Sequence, residues 1–388
     1  VSTIHQRGPN KFLIAVDHGK DPTTGKRRRR WHTFHGSKKA AKAEAVRLEA
    51  EAQGGTYVEP SRLTVAQFLE QWLAATKPNV SPKTHERYAE LTRNITRLIG
   101  DIRLQELKPM QLQTMLATAL ERGRLDGGPL ARRSVHHMHV VLKGALQWAV
   151  DVAEILPRNP AAKVTPPAVP KSTVVTTYGT GDVARLVAAL RSSSIFIPVF
   201  LSARTGIRRG ETAALTWRNV NFDRATITVA ASVEQLNNSI RLKSTKTERI
   251  RTLDIDQDIV RTLREHKAAQ AAALHELGIK HGPDTLVCAH RDGSIMHPRW
   301  ISKKWAKLVR ASGLPARNFH HLRHANASMM LAAGIHPKTA SERLGHSSIG
   351  ITMDLYSHVL PSVQQEAADR IGEAFQIADR TIAREGEQ

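Results

Sequence analysis

The chain has 388 residues, enough for two or three domains, and its 57 Lys+Arg against 35 Asp+Glu give a formal net charge of +22. A 41% hydrophobic fraction with 24% charged residues excludes a mostly disordered or collagen-like chain, and a single cysteine, Cys288, excludes an intramolecular disulfide and a multi-cysteine zinc site. No apolar run is long enough to cross a membrane and Val1–Ala15 lacks the apolar stretch of a signal peptide, so the expectation is a soluble cytoplasmic protein with a polyanionic partner, nucleic acid first among them.

The first sixty residues or so read as a small unit. Lys11–Asp17 alternates like a strand, Asp21–Gly25 carries turn chemistry, and Trp31–Phe34 reads as another short strand. Between turn and strand lie five consecutive cations, Lys26, Arg27, Arg28, Arg29 and Arg30. Ser37 is a candidate N-cap for a helix over Ser37–Gln53. A basic strand in such a unit suits a DNA-contacting ribbon; the bland alternative is a solvated strand edge.

Thr64 to Ile155 reads as all-helical. Four amphipathic helices are predicted: one capped by Thr64, one opened by Ser81-Pro82, one opened by Pro109, and one from Ala131 to about Val152. The HHMH run at 136–139 on the fourth suits surface or DNA-facing positions better than a metal site, because adjacent residues diverge around a helix. Pro157–Pro170 holds five prolines and reads as an extended interdomain linker. Beyond it a mixed unit is expected. It starts with a helix over Asp182–Ala203 and continues with strands over Ala225–Val233, Ile240–Lys243 and Arg249–Ile255; the rest is helical. Cys288 reads as a core thiol.

Three stretches of this last unit carry residues suited to phosphate chemistry: ARTGIRRGETAALTW at 203–217, NFHHLRHANASMML at 318–331, and LGHSSIGITMDLYSHV at 344–359. Arg208 follows a Thr-Gly turn and precedes a predicted helix, which puts it at the mouth of an element. His320 and Arg323 are three apart and share a helix face. Gly334 and Pro337 read as the end of one helix and the start of the next, and His346 falls just past Gly345 on a turn. Guanidiniums offer paired N–H bonds to phosphate oxygens.

An HxxR, a His 23 residues after that Arg, and a Tyr ten residues further on, preceded by TGIRRGE, closely resemble the tyrosine recombinase (phage integrase) family. The first sixty residues also resemble the small arm-type DNA-binding domain of integrases from mobile elements. The resemblance implies a multidomain, mainly α fold. An arm-type α+β domain, a short β-sheet plus helix, would occupy residues 1–60, and a four-helix core-binding bundle 61–156. After a linker at 157–171, a catalytic domain at 172–388 would hold mostly helices and a three-stranded antiparallel sheet. It implies Tyr356 as nucleophile, forming a 3′-phosphotyrosyl bond, with Arg208, His320, Arg323 and His346 around the phosphate and Glu211 orienting Arg208. The family's lysine lies in a β-hairpin; Lys246 in KTERIRT fits its box best and Lys243 is the rival. The implied partners are duplex core and arm sites, three further copies in a homotetramer, a host DNA-bending protein and an excisionase. No metal, cofactor or ATP is implied. A tail helix bearing Ala367, Ile371 and Phe375 would dock on a neighbouring copy.

Other readings stand beside this one. Arg208 and Arg323 could be structural ion-pair partners, and Tyr356 a half-buried core residue. A catalytically inactive DNA-binding protein would keep the scaffold but tolerate loss of some of the six boxed residues. A metal-dependent nuclease could use His320, His321 and His324, though no carboxylate lies within that cluster to complete a hard-metal site.

Overall fold

The computed structural model describes residues 2–20, 27–54, 57–170, 177–237, 239–244, 250–353, 368–369 and 371–378. Lys26, Lys246 and Tyr356 lie outside the described residues, as does Ala367. The chain forms two compact units, 1–170 and 171–388.

The first unit opens with an antiparallel sheet of β1 (Thr3–Gly8), β2 (Lys11–Lys20) and β3 (Arg27–His35) in that order. Helix α1 (Lys38–Gln53), capped by the Ser37 hydroxyl, covers one face; Ala45 and Leu48 pack there on Ile14 and Val16. Strand alternation then sorts the basic run. Arg29 pairs across from Asp17 and shares the open face with the exposed Trp31, whereas Arg30 is ion-paired with Glu59.

Four helices follow: α2 (Val65–Thr76), α3 (Pro82–Ile99), α4 (Pro109–Arg122) and α5 (Arg132–Asp151). Their starts are where the cap residues put them. Thr64 and Gln67 form a capping box, the Ser81 hydroxyl accepts from the Thr84 amide, and Pro82 and Pro109 open their helices. Phe68, Leu69, Ile95, Leu112, Leu116, Met138, Leu142 and Leu146 fill the core between them. His139 joins that core rather than the surface, while His137 is exposed. The proline-rich stretch is not wholly extended linker. Ala161 and Val164 enter the same core, and the Asn159 amide donates to the Lys143 carbonyl at 3.0 Å. Proline forbids helix, not packing.

In the second unit the helix predicted over Asp182–Ala203 is two, α6 (Thr180–Ala189) and α7 (Phe196–Thr205). Ser192–Ser194 break it, since serine hydroxyls compete for backbone groups; Ser193 Oγ accepts from the Ile195 amide. Then come α8 (Arg209–Ala214), β4 (Val220–Asn221), β5 (Thr226–Val229), β6 (Ala231–Leu236), β7 (Ser239–Ser244) and β8 (Arg251–Asp254). The strand expected over Ala225–Val233 is split at Ala230. Its first half sits in an antiparallel sheet of order β4-β5-β8, and its second half pairs with β7 as a separate hairpin. Helices α9 (Gln257–Glu276), α10 (Pro298–Ala311), α11 (His321–Ala332) and α12 (Pro337–Leu344) complete the unit, with Trp305, Leu263, Leu201 and the thiol of Cys288 in its core. Among the described residues, no helix is long and apolar enough to cross a membrane.

Candidate active site

The turn from α7 to α8 is built for close approach. Gly206 ends α7 with φ +70°, and a Cβ there would collide with Leu344 and with Asn326 Oδ1. Helix α11 is latched to this turn: the Asn326 amide donates to the Ala203 carbonyl at 3.0 Å, and Arg323 Nη1 to the Gly206 carbonyl at 2.8 Å. Two residues after Gly206, Arg208 caps α8. Its backbone amide donates to Glu211 Oε2 and its Nη1 to Glu211 Oε1, both at 2.8 Å, and its Nη2 reaches the Gly345 carbonyl at 2.5 Å. Gly345, φ +66°, closes α12 and leads directly to His346.

Arg208, Glu211, Arg323 and His346 are therefore held together by the α7–α8 turn, α11 and the end of α12, and His320 joins them from the N-cap of α11. Arg323 is 3% exposed, and its Nη2 is buried with no hydrogen-bond partner among the described residues. Its cation is pulled down to about 9, first by burial and then by the charge of Arg208. Glu211 is buried too. Burial alone would raise its carboxyl, but Arg251 and then Arg208 overcome that and hold it below the usual range. The three guanidiniums of Arg208, Arg251 and Arg323 face this one carboxylate, so the pocket carries an excess of positive charge.

Both histidines enter neutral. His320 is reachable from solvent, yet the protein around its ring, then His324, Arg323 and Arg208, hold it down to about 4. His346 is likewise pushed to about 4, by burial and then by Arg323 and Arg208. Its Nδ1 lies 2.7 Å from the hydroxyl of the fully buried Thr352, which leaves Nε2 for a ligand. Two neutral imidazoles, a guanidinium with an unpartnered Nη2 and a half-exposed Arg208 can together offer hydrogen-bond donors to a phosphate-sized anion.

Arg251, Thr352 and Asn326 belong to this cluster and were not anticipated. A signal existed for Arg251: at alternate positions it shares a strand face with the buried Leu253 and Ile255. None existed for Thr352. Lys243 is described on β7, paired across from Ser232, while its rival Lys246 falls outside the described residues. Among the described residues no group of three or more His, Cys, Asp or Glu side chains is placed to hold a metal ion.

The chain is similar to several known proteins. The Phage integrase family matches residues 182–362, and the Phage integrase, N-terminal SAM-like domain matches residues 64–118. A tyrosine recombinase XerC-like protein of Caldanaerobacter subterraneus subsp. tengcongensis is 25% identical over 95% of this chain and 98% of its own. The ICEBs1 integrase of Bacillus subtilis is 24% identical over 93% and 96%. The fold is shared with the Tn1549 transposon integrase in complex with transposon right end DNA, with a TM-score of 0.66, 17% identity, and 80% of this chain and 99% of that one covered. A lambda integrase dimer bound to a COC′ core site superposes with a TM-score of 0.58 at 18% identity, over 92% and 95%. Near-complete relatives, two matched domains in the expected order and a common fold lead to one assignment: the chain belongs to the phage integrase family, the tyrosine recombinases.

Proposed function

We propose that this recombinase cuts and rejoins duplex DNA at specific sites through a 3′-phosphotyrosyl link to Tyr356, integrating or excising a mobile element. The observation that carries the reading is Arg323: a buried guanidinium with an uncommitted Nη2, in a pocket where positive charge exceeds negative. A structural arginine would be matched to a carboxylate; this one bonds the Gly206 carbonyl through Nη1 while Nη2 has no hydrogen-bond partner among the described residues, and a scissile phosphate would complete it. Arg208 would leave the Gly345 carbonyl for a second non-bridging oxygen, and His320 and His346 would bond the same group as neutral rings. The Tyr356 hydroxyl attacks phosphorus and passes its proton to water; the P–O5′ bond breaks, and the 5′ oxygen takes a proton from Lys246 as it leaves. The link keeps the phosphodiester energy, so rejoining needs no ATP or cofactor. The intact set of six residues favours this over an inactive DNA-binding protein.

The lysine makes a sharp test. A deoxyribose alkoxide leaves only with a proton, whereas a bridging sulfur leaves as a stable thiolate without one. Lys246→Ala should therefore be slow on an ordinary site and largely rescued on a 5′-bridging phosphorothioate site; Arg208→Ala should not be rescued. Selective rescue of Lys243→Ala instead would move the acid three residues upstream.

The domain roles follow the same reading: arm-site binding by residues 1–60, core-site binding by 61–156, and chemistry by 172–388. Four copies would assemble on two sites, helped by the exposed Ile371 and Phe375 of the tail, with a DNA-bending protein and an excisionase as accessory partners. For the arm domain, Arg29 and Trp31 on the open sheet face are the contacts to test. Arg29→Ala with Trp31→Ala should weaken binding to a second class of site and lower its salt slope by about 1, leaving core-site cleavage intact. Footprints identical to wild type on every site would remove that role.

A further inference from the structure

We propose that Arg251 is a positioning residue for strand transfer, which frees Arg208 for the phosphate by neutralising Glu211 and fixes the turn that presents His346. The inference rests on the recombinase reading above and adds a residue to it.

Arg251 opens β8 and its side chain is 12% exposed. Nη1 and Nη2 bond the two Glu211 oxygens at 3.1 and 2.7 Å, a bidentate pair, and Nε donates to the Arg343 carbonyl at 3.0 Å. All three nitrogens are thus committed to protein, unlike Arg323 with its orphaned Nη2. Arg251 is built to act on neighbours, not on DNA.

Its first neighbour is Glu211, which also holds the Arg208 amide and guanidinium. With Arg251 present, the carboxylate has a dedicated countercharge, and Arg208 keeps positive charge to spend on an incoming phosphate. Without it, Arg208 becomes the closest remaining cation for a buried carboxylate and is drawn onto it. The second neighbour is the end of α12. Arg343 precedes Gly345 by two residues, and a Cβ at Gly345 would lie 3.0 Å from Arg251 Nη1, so the guanidinium packs flat on the turn before His346. One side chain joins β8, the Arg208 cap and the His346 turn, and it does so directly after the segment that holds Lys246.

A double-mutant cycle with Glu211→Gln tests this, reading single-turnover adduct formation on a nicked site at saturating DNA. Arg251→Ala should slow the reaction by on the order of 10²-fold, the cost of a misplaced reacting group, with DNA affinity little changed. In the Glu211→Gln background there is no charge left to neutralise, and the same substitution should cost about tenfold or less, the remainder being the loosened turn before His346. Arg251→Lys cannot grip both carboxylate oxygens and the Arg343 carbonyl at once; it should show a smaller loss that Glu211→Gln suppresses in the same way. It decides the question should Arg251→Ala not fold. Equal penalties in both backgrounds, or none in either, would overturn the role of Arg251. A wild type that forms no adduct would instead sink the recombinase reading itself.

Discussion

Arg323→Met is expected to slow DNA cleavage by on the order of 10²–10³-fold, the scale of losing one donor to a developing oxyanion, and to raise the melting temperature of the DNA-free protein. The two effects have one cause. Arg323 is buried without a carboxylate partner of its own and is pulled down to about 9, so the folded chain holds this proton less tightly than the unfolded chain does. That cost is present in full at neutral pH, where the guanidinium stays charged. The lost charged bond to the Gly206 carbonyl offsets about 1.5–3 kcal/mol of the gain. A purely structural arginine would behave in the opposite way, losing stability and sparing cleavage. Calorimetry at neutral pH, with single-turnover cleavage beside it, separates the two.

Tyr356→Phe is expected to abolish cleavage and covalent adducts while leaving DNA binding at the wild-type level. The phenol is the one atom group in the proposed chemistry with no substitute, since attack forms the bond that stores the energy for rejoining. An ordinary tyrosine has a pKa of about 10 and is a poor nucleophile. The excess positive charge around Arg208 and Arg323 would ease loss of its proton as it attacks. Phenylalanine keeps the volume and removes only the oxygen, so a gel shift should not change. Normal adduct yield from the mutant on a nicked site would show that another residue attacks.

Local chemistry made much of this protein legible before any coordinates. Thr64, Ser81, Pro82 and Pro109 start helices because side-chain caps and a fixed φ act within one turn. Gly345 ends α12 and places His346 for the same reason. The signals that failed were those settled by long-range packing. Ala161 and Val164 lie in a proline-rich stretch but pack into the helical core, and His139 is drawn inside with Leu142 and Leu146. The strand over Ala225–Val233 read as one element, because nothing local shows that β5 chooses β8 while β6 chooses β7. At the site, Arg208 and Arg323 were recognisable from their boxes. Of their supports Glu211 was legible and Arg251 was not, since the two meet across 40 residues, and His346 leans on a threonine with no pattern around it.

The most direct test maps the covalent link. Wild-type protein is incubated with a nicked recombination site in excess EDTA, the trapped complex is digested with protease and nuclease, and the modified peptide is sequenced by mass spectrometry. The account predicts an adduct formed without divalent metal, with a DNA 3′-phosphate on the Tyr356 oxygen and a free 5′-hydroxyl on the released strand. Cleavage that requires metal and leaves no protein on the DNA, or an adduct on any other residue, would contradict it.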